Sequence, residues 1–172
     1  CGPDYPLPSL IQVFRGEAPA TNPPLVATYL PGSEYRYCNG CYAIIQGGLE
    51  DISGKDFGVL LNESVLRPAK MDSSKFDNEF FRADRSSIAL PYDPDHVVFQ
   101  NAPMRNPILS TGTLWTTASD LARFNLHLTE ALSGSNDLIE QTLARELVLP
   151  SSTETRTLGF FIGNKDAQTQ AD

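Results

Sequence analysis

Residues 31–71 of the 172-residue chain read PGSEYRYCNGCYAIIQGGLEDISGKDFGVLLNESVLRPAKM, and they contain the strongest indications of the fold. Four apolar residues in it recur at the spacing of one helical face and stop before Gly54: Tyr42, Ile45, Leu49 and Ile52. This pattern, with a glycine stop, predicts one amphipathic helix. A second apolar series from about Asp56 to Leu66 predicts another helix, which Pro68 ends because proline cannot continue a helical hydrogen-bond ladder.

The segment YCNGCY, residues 37–42, contains two overlapping signals just before the first of these helices. Cys38 and Cys41 have the C-x-x-C spacing of a redox pair or of half a structural zinc site. Tyr37 and Asn39 have the Y-x-N spacing that can place a phenol and an amide at one active site. Motifs elsewhere in the chain are needed to distinguish a cysteine site from a site built on the tyrosine and the asparagine.

On the N-terminal side, seven of the 13 prolines lie in residues 1–31, which predicts a loop-like segment with one short helix near Leu10 to Phe14. On the C-terminal side, residues 69–110 carry many turn residues and predict a largely irregular connection.

The clearest helix of the sequence follows that connection. Thr117 to Asp120 predicts a capping box. The helix after it should bury one stripe of apolar residues: Leu121, Phe124, Leu128 and Leu132. A shorter helix is predicted over about residues 137–147, and TRTLGFFIG, residues 155–163, predicts one strand.

Helices dominate this pattern, and a single late strand cannot satisfy its own hydrogen-bond ladder. The sequence therefore predicts an α+β fold of which this chain forms mostly the helical subdomain, with one C-terminal strand. We expect one partial domain over residues 1–172. It divides into a proline-rich loop segment, a helical subdomain and the start of an antiparallel sheet: 1–30, 31–156 and 157–163.

Composition narrows the class of protein. The chain is 41% hydrophobic and 20% charged, with 13 basic against 21 acidic residues and a net charge of −8. Because nucleic-acid binding depends on lysine and arginine, we expect no nucleic-acid partner. We also expect no membrane span, because no run of 18 apolar residues occurs. The sequence starts with Cys1 rather than Met and its N-terminus looks truncated, so a secreted, periplasmic or cytoplasmic location stays open.

The rest of the sequence gives little support for a redox or zinc function of the C-x-x-C pair. A structural zinc site needs four ligands, and only Cys1, His96 and His127 remain, at spacings that match no familiar zinc pattern. A thioredoxin-type site needs alternating strands and helices, which this chain lacks. We therefore expect no metal and interpret Cys38 and Cys41 as small apolar fillers near a helix start, with their disulfide state open.

Several further motifs accompany the Y-x-N pair along the chain. The order of motifs from residue 30 to residue 163 resembles the serine β-lactamase and penicillin-binding-protein superfamily. The closest resemblance is to the branch of class C β-lactamases, D-alanyl-D-alanine carboxypeptidases and family VIII esterases. The matching segments are Pro31-Gly32, Tyr35, Tyr37-Cys38-Asn39, Tyr42, Ser53-Gly54-Lys55, Pro68 to Met71, STGTLWTTASDLARFNLHL at 110–128, and LGFFI at 158–162.

Four substitutions depart from the family pattern. Cys38 stands where the family usually has Ser, and Cys41 where it has Gly. Residues 69–70 replace Leu-Gly, and residues 112–113 replace Gly-Gly. None of these changes removes Tyr37 or the amide two residues later.

The resemblance implies a chemistry. Such enzymes attack a carbonyl with the Ser of an S-x-x-K motif, form an acyl-enzyme without a cofactor, and use a K-T-G or H-x-G strand opposite. It implies that Tyr37 is the general base or proton relay, and that Asn39 orients the lysine and binds the substrate, a small acyl compound. No Ser of this chain has Lys three residues later, and Lys165-Asp166-Ala167 lacks the Gly of the third motif.

We therefore expect a central fragment of a serine-dependent acyl hydrolase, acting on a β-lactam, an ester or a D-alanyl peptide, that is inactive alone. Two alternatives stay open: a non-catalytic binding or scaffold relative, and a C-x-x-C redox or zinc protein. The sequence does not specify the substrate or the oligomeric state.

Overall fold

The computed structural model describes residues 6–77, 88–90, 92–98, 105–150 and 157–160. The helices are α1 (Leu10–Arg15), α2 (Asn39–Ser53), α3 (Phe57–Leu61), α4 (Ala118–Leu132) and α5 (Gln141–Val148). A π-helical turn, Asn62–Leu66, continues α3, and a 3₁₀ turn spans Leu109–Thr111. Strands β1 (Lys75–Phe76) and β2 (Leu114–Trp115) form an antiparallel pair. The described part is mostly helical, as the predicted helical subdomain requires.

Capping explains where α1 and the tight turn after it lie. Ser9 and Gln12 form a reciprocal capping box at the start of α1, and Gly16 ends the helix with φ +63°. A Cβ atom at Gly16 would lie 2.6 Å from the backbone nitrogen of Pro24, so only glycine fits both the conformation and the space. The predicted short helix is confirmed.

The two helices predicted from residues 31–71 are present. α2 begins at Asn39, and Gly54 ends it in the left-handed conformation with φ +66°. The second helix widens before Pro68, where the amide of Arg67 donates to the carbonyl of Asn62, a five-residue step.

The apolar series of α2 faces outward in this structure. Ile52 is 88% exposed, and the other three members of the predicted series are also exposed. The buried positions of α2 are instead Ala43 and Gln46. Polar contacts hold this inner face, since Ser110 donates its amide to Gln46 Oε1 at 3.1 Å and its hydroxyl to the carbonyl of Tyr42 at 2.9 Å.

The core consists of two apolar clusters joined by shared neighbours. One contains Leu128, Ala131, Ile139 and Ala144; the other contains Leu66, Ala69 and Met71. Phe124 and Leu138 pack against both clusters, so α4 and the segment before α5 connect the two halves of the core.

The predicted stripe of α4 is confirmed at Leu128, Phe124 and Leu132, which are buried or half-buried. It is wrong at Leu121, which is 45% exposed because the preceding residue, Asp120, takes the inward position.

Asp120 is fully buried at the first turn of α4. Its carboxylate accepts the Ser74 hydroxyl at 2.7 Å and the Ser73 amide at 2.9 Å, and it pairs with the Arg123 guanidinium. The predicted capping box is half formed, since Thr117 Oγ1 accepts the Asp120 amide while the carboxylate turns into the core. These bonds tie the start of α4 to the turn before β1.

The small sheet was not predicted. Lys75 pairs with Trp115, and Phe76 pairs with Leu114. Two residues per strand are too few to show an alternating pattern. Most of the predicted C-terminal strand lies outside the described residues. Within it, residues 157–160 form a turn in which the Thr157 amide donates to the Phe160 carbonyl at 2.9 Å, so pairing of this segment stays a prediction.

We expect Leu128→Ala to lower the free energy of unfolding by about 2–5 kcal/mol, because it opens a cavity in the core. The matched control is Leu126→Ala on the same helix, which should change it by less than about 0.5 kcal/mol, since Leu126 is 62% exposed and Leu128 only 6%. Urea unfolding followed by circular dichroism measures both. Equal losses in the two variants would contradict the assignment of the core face of α4.

The hydrogen bond from the Ser74 hydroxyl, with the Ser73 amide and Arg123, holds the pKa of Asp120 below the ordinary aspartate value of 3.8, although burial opposes this shift. A lowered folded-state pKa contributes stability that is present above the ordinary value and is lost as pH falls through the lowered one. Asp120→Asn should therefore lower Tm at about pH 7, and its deficit against the wild type should shrink towards about pH 3.

Thermal unfolding across this pH range measures the effect. Asp51→Asn, which changes an exposed aspartate on α2, is the matched control and should leave the pH profile of Tm unchanged. A deficit of Asp120→Asn that stays constant across the range would mean that the carboxylate charge has no part in the stabilisation.

Candidate active site

Tyr37 lies in a segment without regular secondary structure, immediately before Cys38, the N-cap of α2. Its side chain is 76% exposed. It lines an open cavity of about 370 Å³ together with Tyr35, Arg36, Cys38, Cys41, Tyr42, Thr157, Leu158, Gly159 and Phe160. The phenol is therefore accessible to a ligand rather than enclosed in the core.

Two segments far apart in sequence build this cavity. One is the approach to α2 with the first turn of that helix, and the other is the turn at 157–160. Thr157 Oγ1 accepts the amides of Gly159 at 3.3 Å and Phe160 at 2.9 Å, which fixes the shape of the turn. The turn at 157–160, which follows α5 in sequence, thus lies beside the tyrosine that precedes α2.

Asn39 is placed differently. It is the first residue of α2 and is exposed, but it does not belong to the cavity lining. The structure therefore places Tyr37 on the cavity wall and Asn39 on the adjoining surface. The site roles of both residues stay predictions.

Arg36 is a cavity residue that the sequence analysis missed. Its guanidinium carbon lies 3.7 Å from the ring centroid of Tyr29, and its Nε lies 3.3 Å from Glu34 Oε1. Arg36 thus brings a guanidinium, already paired with Glu34, to the wall of the cavity that Tyr37 lines. The signal in the sequence was the position of Arg36 between Tyr35 and Tyr37.

Cys38 and Cys41 form a disulfide, with their Cα atoms 5.3 Å apart. The Cys41 amide also donates to Cys38 Sγ at 2.9 Å, so this sulfur caps α2. The interpretation of the pair as apolar fillers is wrong, because they are covalently bonded to each other at an exposed helix start. Within the described ranges, no group of three or more His, Cys, Asp or Glu residues is arranged to hold a metal ion.

A second cavity, of about 730 Å³, lies at the other end of α2 and does not include Tyr37. Lys75 and Asp77 line it and approach each other to 3.8 Å. Glu50 also lines it, and its Oε1 accepts the Phe57 amide at 3.1 Å and the Gln46 side-chain amide at 3.1 Å. This carboxylate joins α2 to α3, which is a structural role.

The comparison with protein families identifies the class. The family model described as Beta-lactamase matches residues 9–169, and the chain belongs to this family. The resemblance inferred from the motifs is thereby confirmed at the level of the family. A comparison with curated proteins found no match.

Solved structures agree on the fold. The chain is similar to a penicillin-binding protein from Bacillus halodurans, with 23% identity and a TM-score of 0.61 over 85% of this chain and 42% of that one. It is similar to an octameric penicillin-binding protein homologue from Pyrococcus abyssi, with 22% identity and a TM-score of 0.57 over 70% and 26%. It is also similar to a D-amino acid amidase from Ochrobactrum anthropi SV3 that was solved with D-phenylalanine, with 16% identity and a TM-score of 0.56 over 69% and 36%.

The chain thus spans between 26% and 42% of the length of these three proteins. None of the helices in the described ranges combines the length and apolar character that a bilayer crossing requires.

Proposed function

We propose that residues 1–172 are the central, mainly helical part of a serine-dependent acyl hydrolase in which Tyr37 moves the proton of the nucleophile. The observation that carries this proposal is the accessible Tyr37 phenol on a cavity wall, at the position where the family pattern has its tyrosine. The substrate would be a small acyl compound: a β-lactam, an ester or a D-alanyl peptide.

The proposed role of Tyr37 requires cations beside the phenol. A phenol titrates near pKa ~10 in water and acts as a base near neutral pH only where cations favour its ionised form. Arg36 places one guanidinium among the residues that line the cavity. The lysine of an S-x-x-K motif would supply a second cation, and the serine of that motif would be the nucleophile. Both would come from protein outside residues 1–172, because no Ser here has Lys three residues later.

The surface of α2 supports the same proposal. Ile44, Ile45 and Ile52 are 57%, 52% and 88% exposed on one helix. Clustered apolar side chains on a soluble protein usually mark a surface that other protein covers. Further polypeptide of the same hydrolase is the occupant that we propose, and it would complete the cavity beside Tyr37.

Asn39 would act at the open side of the site. Its amide carries both a donor and an acceptor, and it is exposed one residue beyond the cavity residue Cys38. We propose that it hydrogen-bonds the substrate and the incoming lysine once the remaining walls are in place.

The second candidate is a non-catalytic binding relative with the same fold. The lack of S-x-x-K within the 172 residues favours it. The open reading frame separates the two candidates, because the hydrolase proposal requires S-x-x-K some tens of residues upstream of Cys1, and a frame without this motif would favour the binding protein.

The 172-residue chain alone should not hydrolyse nitrocefin or a p-nitrophenyl ester above the rate of its Tyr37→Phe variant, because it supplies no nucleophile motif. Absorbance assays with both substrates measure this. Clear turnover by the wild-type chain that Tyr37→Phe abolishes would show that residues 1–172 contain a complete active site and would overturn the proposal.

In the product of the whole reading frame, Tyr37→Phe should lower kcat/KM by about 10²–10⁴-fold, the usual contribution of a positioned general base. Tyr29→Phe is the matched control, because Tyr29 stacks on Arg36 through its ring and lies outside the cavity lining. It should stay within about threefold of the wild type, a change of about 0.7 kcal/mol. Equal activities of the two variants would remove Tyr37 from the mechanism.

A further inference from the structure

We propose that the Cys38–Cys41 disulfide is a thiol–disulfide exchange site that reacts with low-molecular-weight thiols at the cavity wall. The two cysteines are disulfide-bonded, and both line the cavity that Tyr37 lines. The proposal concerns a covalent reaction of the protein itself and goes beyond the hydrolase function.

The disulfide is accessible. Cys41 is exposed and Cys38 is half-buried, and the 370 Å³ cavity opens onto both. Thiol–disulfide exchange requires a thiolate to reach one sulfur, so its rate depends on access as well as on the chemistry of the two sulfurs. A disulfide at a cavity wall therefore differs from a core disulfide, whose sulfurs no external thiol can reach.

The two sulfurs are not equivalent. Cys38 Sγ lies at the N-terminus of the 15-residue helix α2 and accepts the Cys41 amide at 2.9 Å. A helix N-terminus and a backbone N–H both stabilise a thiolate, so Cys38 is the better leaving group. An external thiol should attack the other sulfur, Cys41, which is also the more exposed of the two.

The reaction balances in two steps. The external thiolate attacks Cys41 Sγ, the bond between the two protein sulfurs breaks, and its electron pair remains on Cys38 as a thiolate. A second external thiolate then attacks the external sulfur of the mixed disulfide and releases Cys41 as a thiolate. The net change converts two small thiols into one small disulfide and reduces the protein disulfide to two thiols.

A mixed disulfide on Cys41 would place its adduct in the cavity that holds the Tyr37 side chain. The adduct would occupy space that a ligand needs, and the thiol pool around the protein would set the fraction of chains in which the cavity is blocked. This consequence is spatial, and it applies to a binding protein as much as to a hydrolase.

Glutathione is the probe, and the 172-residue chain with Cys1→Ser leaves only the pair to react. The oxidised chain is mixed with reduced glutathione, quenched with acid, and mapped by peptide mass spectrometry. We expect the mixed disulfide on Cys41 at least about tenfold more often than on Cys38, full reduction at excess glutathione, and recovery of the disulfide with oxidised glutathione.

Two single variants test the difference between the two cysteines without the peptide map of the glutathione adduct. Cys41→Ser leaves Cys38 as a free thiol, and Cys38→Ser leaves Cys41, each in the Cys1→Ser background. At about pH 6, iodoacetamide should alkylate the remaining Cys38 about tenfold faster than the remaining Cys41, because its thiolate is favoured at the helix start. Circular dichroism confirms that both variants fold.

Three results would overturn the proposal: no Cys38–Cys41 disulfide in the oxidised chain, no reaction with glutathione until the chain is unfolded in urea, or an adduct shared equally by the two sulfurs. None of these measurements uses an acyl substrate. The exchange site can therefore fail while the hydrolase function stands, and the reverse also holds.

Discussion

The buried carboxylate of Asp120 holds the start of α4 against the turn before β1. An ionised group removed from water is stable only when its oxygens are hydrogen-bonded, and here Ser73, Ser74 and Arg123 supply the donors. The bonds join α4 to a turn 46 residues earlier in the chain. The short β1–β2 pairing and the shared neighbours of the two apolar clusters lie beside this junction.

The candidate site lies in a different part of the fold, at the start of α2. α2 has buried positions that are small or polar, Ala43 and Gln46, so the helix lies against the 3₁₀ turn through hydrogen bonds rather than through its large apolar side chains. Its N-terminus and the tyrosine before it are left at the surface, where the 157–160 turn completes a cavity. An accessible phenol, a guanidinium and a disulfide thus share one wall.

The sequence predicted the helices well, because apolar spacing, glycine stops and proline breaks act locally. Two features escaped it because each depends on residues distant in sequence. The inward turn of Asp120 required knowledge of Ser73 and Ser74, and the exposure of Ile52 depends on which surfaces meet. Tyr37 was interpreted as a site residue from the order of family motifs, whereas the C-x-x-C spacing alone left the disulfide state of Cys38 and Cys41 open.

The contacts of α2 with Ser110 also influence the order in which the chain folds. Gln46 meets Ser110 across 64 residues, whereas α4 and α5 are neighbours in sequence and bury Leu128 and Ala144 between them. Closing a long loop costs more chain entropy than closing a short one, so we expect the local helix pair to form before α2 docks on the 3₁₀ turn. The surface that carries Tyr37 would then reach its native position after the α4–α5 pair.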